Sequence, residues 1–205
     1  MSKRNTILTA AAEEVSSVGL RRTTLTDVAR RAGVSRMTVY REYGDAATLF
    51  RAMLTSEVED VVSEAEAQAG WGQTGRSRVV TAVVAGSRRL ATHPLFRRVL
   101  DLDPEMLLPM VVDRLGSGQL HARERLLDLL HAGVDDGSIR PLDVPTAAHV
   151  VLLTAQSFVF SIRISEADPA LADVWAELGE LLERYLAPSL PRALPSSRHS
   201  EQELG

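Results

Sequence analysis

Between Thr24 and Tyr43 the sequence places two helix-length segments only four residues apart, across Ala32-Gly33-Val34-Ser35. This spacing limits the fold more than any other feature. The first segment starts at Thr24, whose hydroxyl can cap it while Asp27, three residues on, supplies an acidic variant of the capping box. It buries Val28, Ala29 and Ala32, then stops at Gly33. Ser35 caps the next segment, Arg36 to Tyr43. A small residue where the helices cross, a glycine for the turn and a cap for the second helix are the requirements of a helix-turn-helix. A third element packs on this pair: Ile7, Leu8, Ala11 and Val15 recur at helical steps up to Gly19, which ends that helix.

The rest of the chain is also helical in period, with no run of alternating strand residues. Aromatic residues are only 4% of the chain, so its core is aliphatic, which suits packed helices. Asp45 caps a long fourth helix carrying Leu49, Phe50, Met53, Leu54, Val61, Val62 and Ala65 on one side. A loop from Gly70-Trp71-Gly72 to Ser77 interrupts it. Further helices are expected over about 78–92, 94–100, 104–112 and 119–132, with Gly137 closing the last of these. Two more follow, over 145–163 and 169–187, the second capped by Asp168 with Pro169 in its first turn. From 188 to 205 the composition is that of a polar, disordered tail.

Without cysteine the chain has no disulfide and no thiolate chemistry, which fits the cytoplasm. No secretory signal is expected at the N-terminus. The most apolar run, Ala147 to Phe160, carries His149, Thr154, Gln156 and Ser157, and no membrane span is expected there. No catalytic glycine loop, serine elbow or zinc-binding helix is present, so enzyme activity is not expected, and neither a cofactor nor a metal. Asp101, Asp103 and Glu105 form a small acidic cluster, in which Asp103 before Pro104 reads as a helix cap. The net charge is −4, unevenly spread: residues 1–50 hold eight basic and five acidic side chains, +3, leaving −7 for the remainder. A basic end on an acidic body is the asymmetry of a protein that meets phosphate at one end.

The run from Thr23 to Tyr43, with Gly19 before it and Leu49 after, resembles the signature of the TetR (tetracycline-repressor-like) family. The resemblance covers about a quarter of the chain. It implies an all-α fold: a three-helix headpiece over 1–45 that binds double-stranded operator DNA, and a helical effector-binding and dimerisation body over 46–187. It further implies a repressor released from its operator by a small hydrophobic or amphipathic effector. Control by a protein partner, or none, is the alternative, which a body without a cavity would favour.

By the same resemblance Arg36 to Tyr43 is the recognition helix. Arg36 would read a base, since a guanidinium can bond guanine O6 and N7 together. Met37 and Thr38 would touch a thymine methyl or a phosphate, and Tyr40, Arg41, Thr24 and Thr26 would contact the DNA backbone. Val39 and Tyr43 read as core, and Arg30 and Arg31 as general charge. Met37, Glu42 and Ala46 depart from the family pattern, Ala46 standing where a phosphate-binding lysine is usual. For the body, the helix over 145–163 is apolar around most of its circumference and needs cover on two sides. The expected homodimer interface is Leu153, Phe160, Trp175, Leu178 and Leu182. Candidate effector contacts are His93, His121 and Gln156, polar groups on otherwise apolar helices.

Overall fold

The computed structural model describes residues 2–70, 73–107, 115–166 and 173–188. Among these it is all-α, with nine α-helices, one 3-10 turn and no strand. They are α1 (Lys3–Val18), α2 (Leu25–Arg31), α3 (Arg36–Tyr43), α4 (Ala46–Gln68), α5 (Gly75–Thr92), α6 (Pro94–Leu102), the 3-10 turn Pro104–Met106, α7 (Ser117–Asp135), α8 (Val144–Glu166) and α9 (Val174–Leu186). The expected caps of Asp168 and Pro169, the Trp71-Gly72 part of the loop and the tail beyond 188 lie outside the described residues.

Each early helix begins where a side chain satisfies its first free amides. Thr24 Oγ1 accepts the Asp27 N–H at 3.2 Å, Ser35 Oγ the Thr38 N–H at 3.1 Å and Asp45 Oδ1 the Thr48 N–H at 2.7 Å. Between α2 and α3 the chain reverses at Gly33, with φ +65°, a region costly for any residue with a Cβ. The apolar faces then meet in two cores. The first joins Ile7, Leu8 and Val15 of α1, Val28 of α2, Val39 of α3 and Leu49 and Met53 of α4 to Leu95, Phe96 and Val99 of α6. The boundary expected after residue 45 therefore falls at the cap of α4, inside this core. The second core packs Val79 of α5, Leu130 of α7, Ala148 and Val151 of α8, and Leu178, Leu182 and Leu186 of α9. Each fully buried large side chain contributes about 1.5–3 kcal/mol relative to exposure.

α5 and α7 cross backbone to backbone. A Cβ on Gly75 would lie 2.3 Å from the Gly133 Cα, so only glycine permits this approach. Asp136, beyond α7, accepts the Gly75 N–H at 2.6 Å and the Ser138 N–H at 2.9 Å. Bonds from the Ser138 hydroxyl and these amides hold its carboxyl below the ordinary aspartate value.

Three expectations are corrected. Of the helix expected over 104–112, the described part is a 3-10 turn, Pro104–Met106, and the rest, from 108 onward, lies outside the described residues. Asp103 does not cap it: its side chain, 3% exposed, reaches back to the segment after α1, where it accepts the Leu20 N–H at 3.0 Å and pairs with Arg21 Nε at 3.1 Å. A buried carboxylate gains more from a cation and an amide than from its own turn. Glu105 also pairs with Arg21, and Asp101 holds Arg163 of α8 at 2.5 Å, so the acidic cluster fastens α6 on two sides. Finally, no membrane span is expected from the run Ala147–Phe160, but α8 extends the apolar stretch beyond that run at both ends. Val144–Ser165 is long and apolar enough to cross a membrane by length and composition. In the fold it packs on α5 and α7, burying Ala147, Ala148, Val151, Leu152, Val159 and Ile162.

Candidate DNA interface and effector cavity

α3 presents its polar side away from the first core. Val39 and Tyr43 point inward, and burial raises the Tyr43 phenol above the ordinary tyrosine value. Arg36, Met37, Tyr40 and Arg41 are exposed on the other side, over the first two turns of the helix. Arg36 occupies the first helical position, where the open end of a recognition helix meets base edges. Thr38 is half-buried, and its hydroxyl lies 2.8 Å from that of Ser35. On α2, Thr26 is exposed in the first turn. The Thr24 hydroxyl, by contrast, is engaged as the cap and donates to the Asp27 carboxylate, which stays below the ordinary aspartate value chiefly because of that bond. Arg31 binds Glu14 at 2.7 Å and Glu13 at 3.4 Å, and Arg30 binds Asp27 at 2.9 Å. Lys3, Arg4, Arg22, Arg36 and Arg41 form no ion pair among the described residues.

Behind the headpiece, α4, α5, α7 and α8 surround a cavity of about 610 Å³, within the size range of small-molecule sites. Phe96 of α6, Leu107 and Phe160 close its headpiece end, and Val61, Val83, Leu126 and Leu129 line the far end. Its polar groups are few. The Gln119 and Gln156 amides bond at 2.6 Å across it, Glu66 pairs with Arg125 at 2.8 Å, and Arg51 stands near the headpiece.

Residues 7–53 match the model of bacterial regulatory proteins of the tetR family. An uncharacterized HTH-type transcriptional regulator of Mycobacterium tuberculosis is 36% identical over 180 residues, covering 88% of this chain and 92% of the relative. The chain belongs to the TetR family. It is a DNA-binding transcriptional regulator. Among solved structures, the TetR family repressor AlkX from Dietzia sp. is 22% identical with a TM-score of 0.67, covering 90% of this chain and 95% of that one. FadR from Bacillus subtilis, solved in complex with stearoyl-CoA, is 18% identical with a TM-score of 0.64, covering 89% and 98%. At these identities the likeness concerns the TetR fold.

Of the residues expected to contact DNA in this TetR-family headpiece, Arg36, Met37, Tyr40 and Arg41 share one exposed face, with Thr26 on the adjoining helix. Thr24 and Thr38 lie beside them with hydroxyls already bonded. In the body, Gln156 lines the cavity, whereas His93 and His121 do not. His93 is turned to Glu57, Nε2 to Oε2 3.1 Å, and stands edge-on to Phe96. Three expected interface residues are corrected. Leu178 and Leu182 are 0% and 1% exposed within a single protomer, because α9 turns this stripe onto α5 and the second core. Phe160 lines the cavity and packs on the first core. Leu153, at 45% exposure, remains available to a partner, and Trp175 is half-buried with its ring 6.3 Å from Phe158. Val150 and Leu181 are also exposed and were not singled out. Arg51, Gln119 and the Glu66–Arg125 pair were missed as well, and each reads as an ordinary surface residue of an amphipathic helix until the helices are assembled.

Proposed function

We propose that this TetR-family regulator works in the cytoplasm as a homodimeric repressor. It reads a two-fold operator with Arg36 and its neighbours and is released when a small hydrophobic or amphipathic effector enters the cavity among α4, α5, α7 and α8. One observation carries this reading: α4 begins against the recognition helix at Asp45 and lines the cavity from Arg51 to Glu66, so a single rigid element touches both sites. A ligand that prefers one placement of α4 shifts the affinity for DNA when the operator complex prefers the other placement. The stearoyl-CoA complex of the FadR neighbour supports an amphipathic effector by analogy of fold. An apolar cavity of this size argues against control by a protein partner alone. The exposed apolar residues Val150, Leu153 and Leu181 on the last two helices suit a four-helix interface between two protomers.

The test is selection of bound duplexes from a random pool by the full-length protein, followed by challenge of the complex with apolar small molecules. A two-fold symmetric consensus and loss of binding on challenge are expected. An asymmetric consensus would overturn the dimer, and a complex indifferent to every compound that occupies the cavity would overturn effector release.

A further inference from the structure

We propose that the cavity takes one long, unbranched hydrocarbon chain of about 16 carbons with an anionic head, the tail lying towards Glu66–Arg125 and the head beside Arg51. This rests on the effector reading above and names the chemical class that the site selects.

Shape gives the chain. The residues of α4 that line the cavity run from Arg51 to Glu66, a rise of about 22 Å, and those of α7 from Ser117 to Leu129, about 18 Å. The Arg125–Glu66 contact sets α7 alongside α4 at the far end. A fully extended chain advances about 1.2 Å per bond, so about 16 carbons and a head group span that length. A fused-ring ligand of equal volume is shorter and wider. The walls agree: Val61, Val62, Val83, Leu126 and Leu129 give the far half an aliphatic surface, and the aromatic rings, Phe96 and Phe160, stand at the headpiece end.

Charge gives the direction. At the far end Arg125 is already paired, with Glu66 at 2.8 Å in the cavity wall and with the exposed Asp128 at 3.0 Å, which leaves no unpaired cation there for an anionic head. Midway, Gln119 donates to Gln156 and offers no charge. At the headpiece end the Arg51 guanidinium donates to Thr48 Oγ1 at 2.9 Å and forms no ion pair among the described residues. A carboxylate or phosphate head is therefore favoured there.

The experiment is calorimetric titration of the full-length protein with saturated fatty acids of 8 to 20 carbons, hexadecanoyl-CoA, n-hexadecane and the steroid testosterone, with operator release measured in parallel. The expected affinity peaks near 16 carbons. Val62→Phe, which fills the far half, moves the peak to shorter chains, and Ala155→Phe, on the opposite wall, does the same should Val62→Phe fold poorly. Arg51→Gln weakens hexadecanoate about tenfold and leaves n-hexadecane unchanged. Comparable binding of hexadecanoate and hexadecanoyl-CoA identifies the free acid as sufficient, and binding of the thioester alone identifies a conjugated head. Affinity independent of chain length, or a peak unmoved by both fillers, overturns the chain. Equal losses for acid and alkane in Arg51→Gln overturn the head assignment. Testosterone that binds and releases operator while no chain binds overturns this proposal and leaves effector control standing. Chain binding that leaves the operator complex intact does the reverse.

Discussion

At the scale of the residue, the headpiece divides its polar side chains between those committed to the protein and those left for DNA. Arg36 and Tyr40 are both exposed on α3, and they are expected to fail differently. Arg36→Ala should weaken binding to the cognate operator by about 1–3 kcal/mol and relax preference at one base pair of each half-site. Tyr40→Phe should lower affinity for cognate and random duplexes by similar factors, because a phosphate contact carries no base information. Fluorescence anisotropy on both duplexes separates the two. The face was legible in the sequence because the caps Thr24, Ser35 and Asp45 fix where each short helix starts, and the start fixes which side chains point outward. The state of individual hydroxyls was not: Thr24 and Thr38 lie beside the exposed face, yet their oxygens serve Asp27 and Ser35.

At the scale of the element, periodicity identified the apolar stripe of α9 but not what covers it. Leu178 and Leu182 lie on the stripe that faces α5, and the number of sides on which a helix is packed is a property of its neighbours, not of its own spacing. The interface test therefore moves to Leu153. Leu153→Glu should leave the monomer folded and weaken self-association at least about tenfold, since a charge would enter each half of the contact. Sedimentation equilibrium checks this, and Leu178→Glu should instead unfold the chain. The α5–α7 crossing supplies a pH prediction. The carboxyl of Asp136 titrates below the ordinary aspartate value, so its contribution to stability is complete above about pH 4 and is lost as pH falls through the lowered folded-state pKa. Asp136→Asn should lower Tm at pH 7, and its Tm should converge with that of the wild type in strong acid. A constant difference between pH 7 and pH 2 would mean that the ionised carboxylate does not hold the Gly75 amide.

At the scale of the whole molecule, the sequence conveyed an all-helical chain with a basic end and an acidic body, but not the joints between them. Asp103 lies 83 residues from the Leu20 amide it accepts, and no local pattern encodes so distant a pairing. The cavity was hidden for the same reason, since its walls come from four helices that each look like ordinary amphipathic elements. The pairing of headpiece charges within the protein has a consequence for the thermodynamics of operator binding. Each phosphate neutralised by a free cation releases condensed counterions, and an arginine already satisfied by a carboxylate exchanges one partner for another. Of eight basic side chains in the first fifty residues, Arg21, Arg30 and Arg31 are held by Asp103 and Glu105, by Asp27 and by Glu13 and Glu14. The five others, ten in a dimer, limit the slope of log affinity against log salt to about −9, whereas eight per protomer would allow about −14. A titration of operator binding between low and moderate salt therefore counts the cations that the fold has left for DNA.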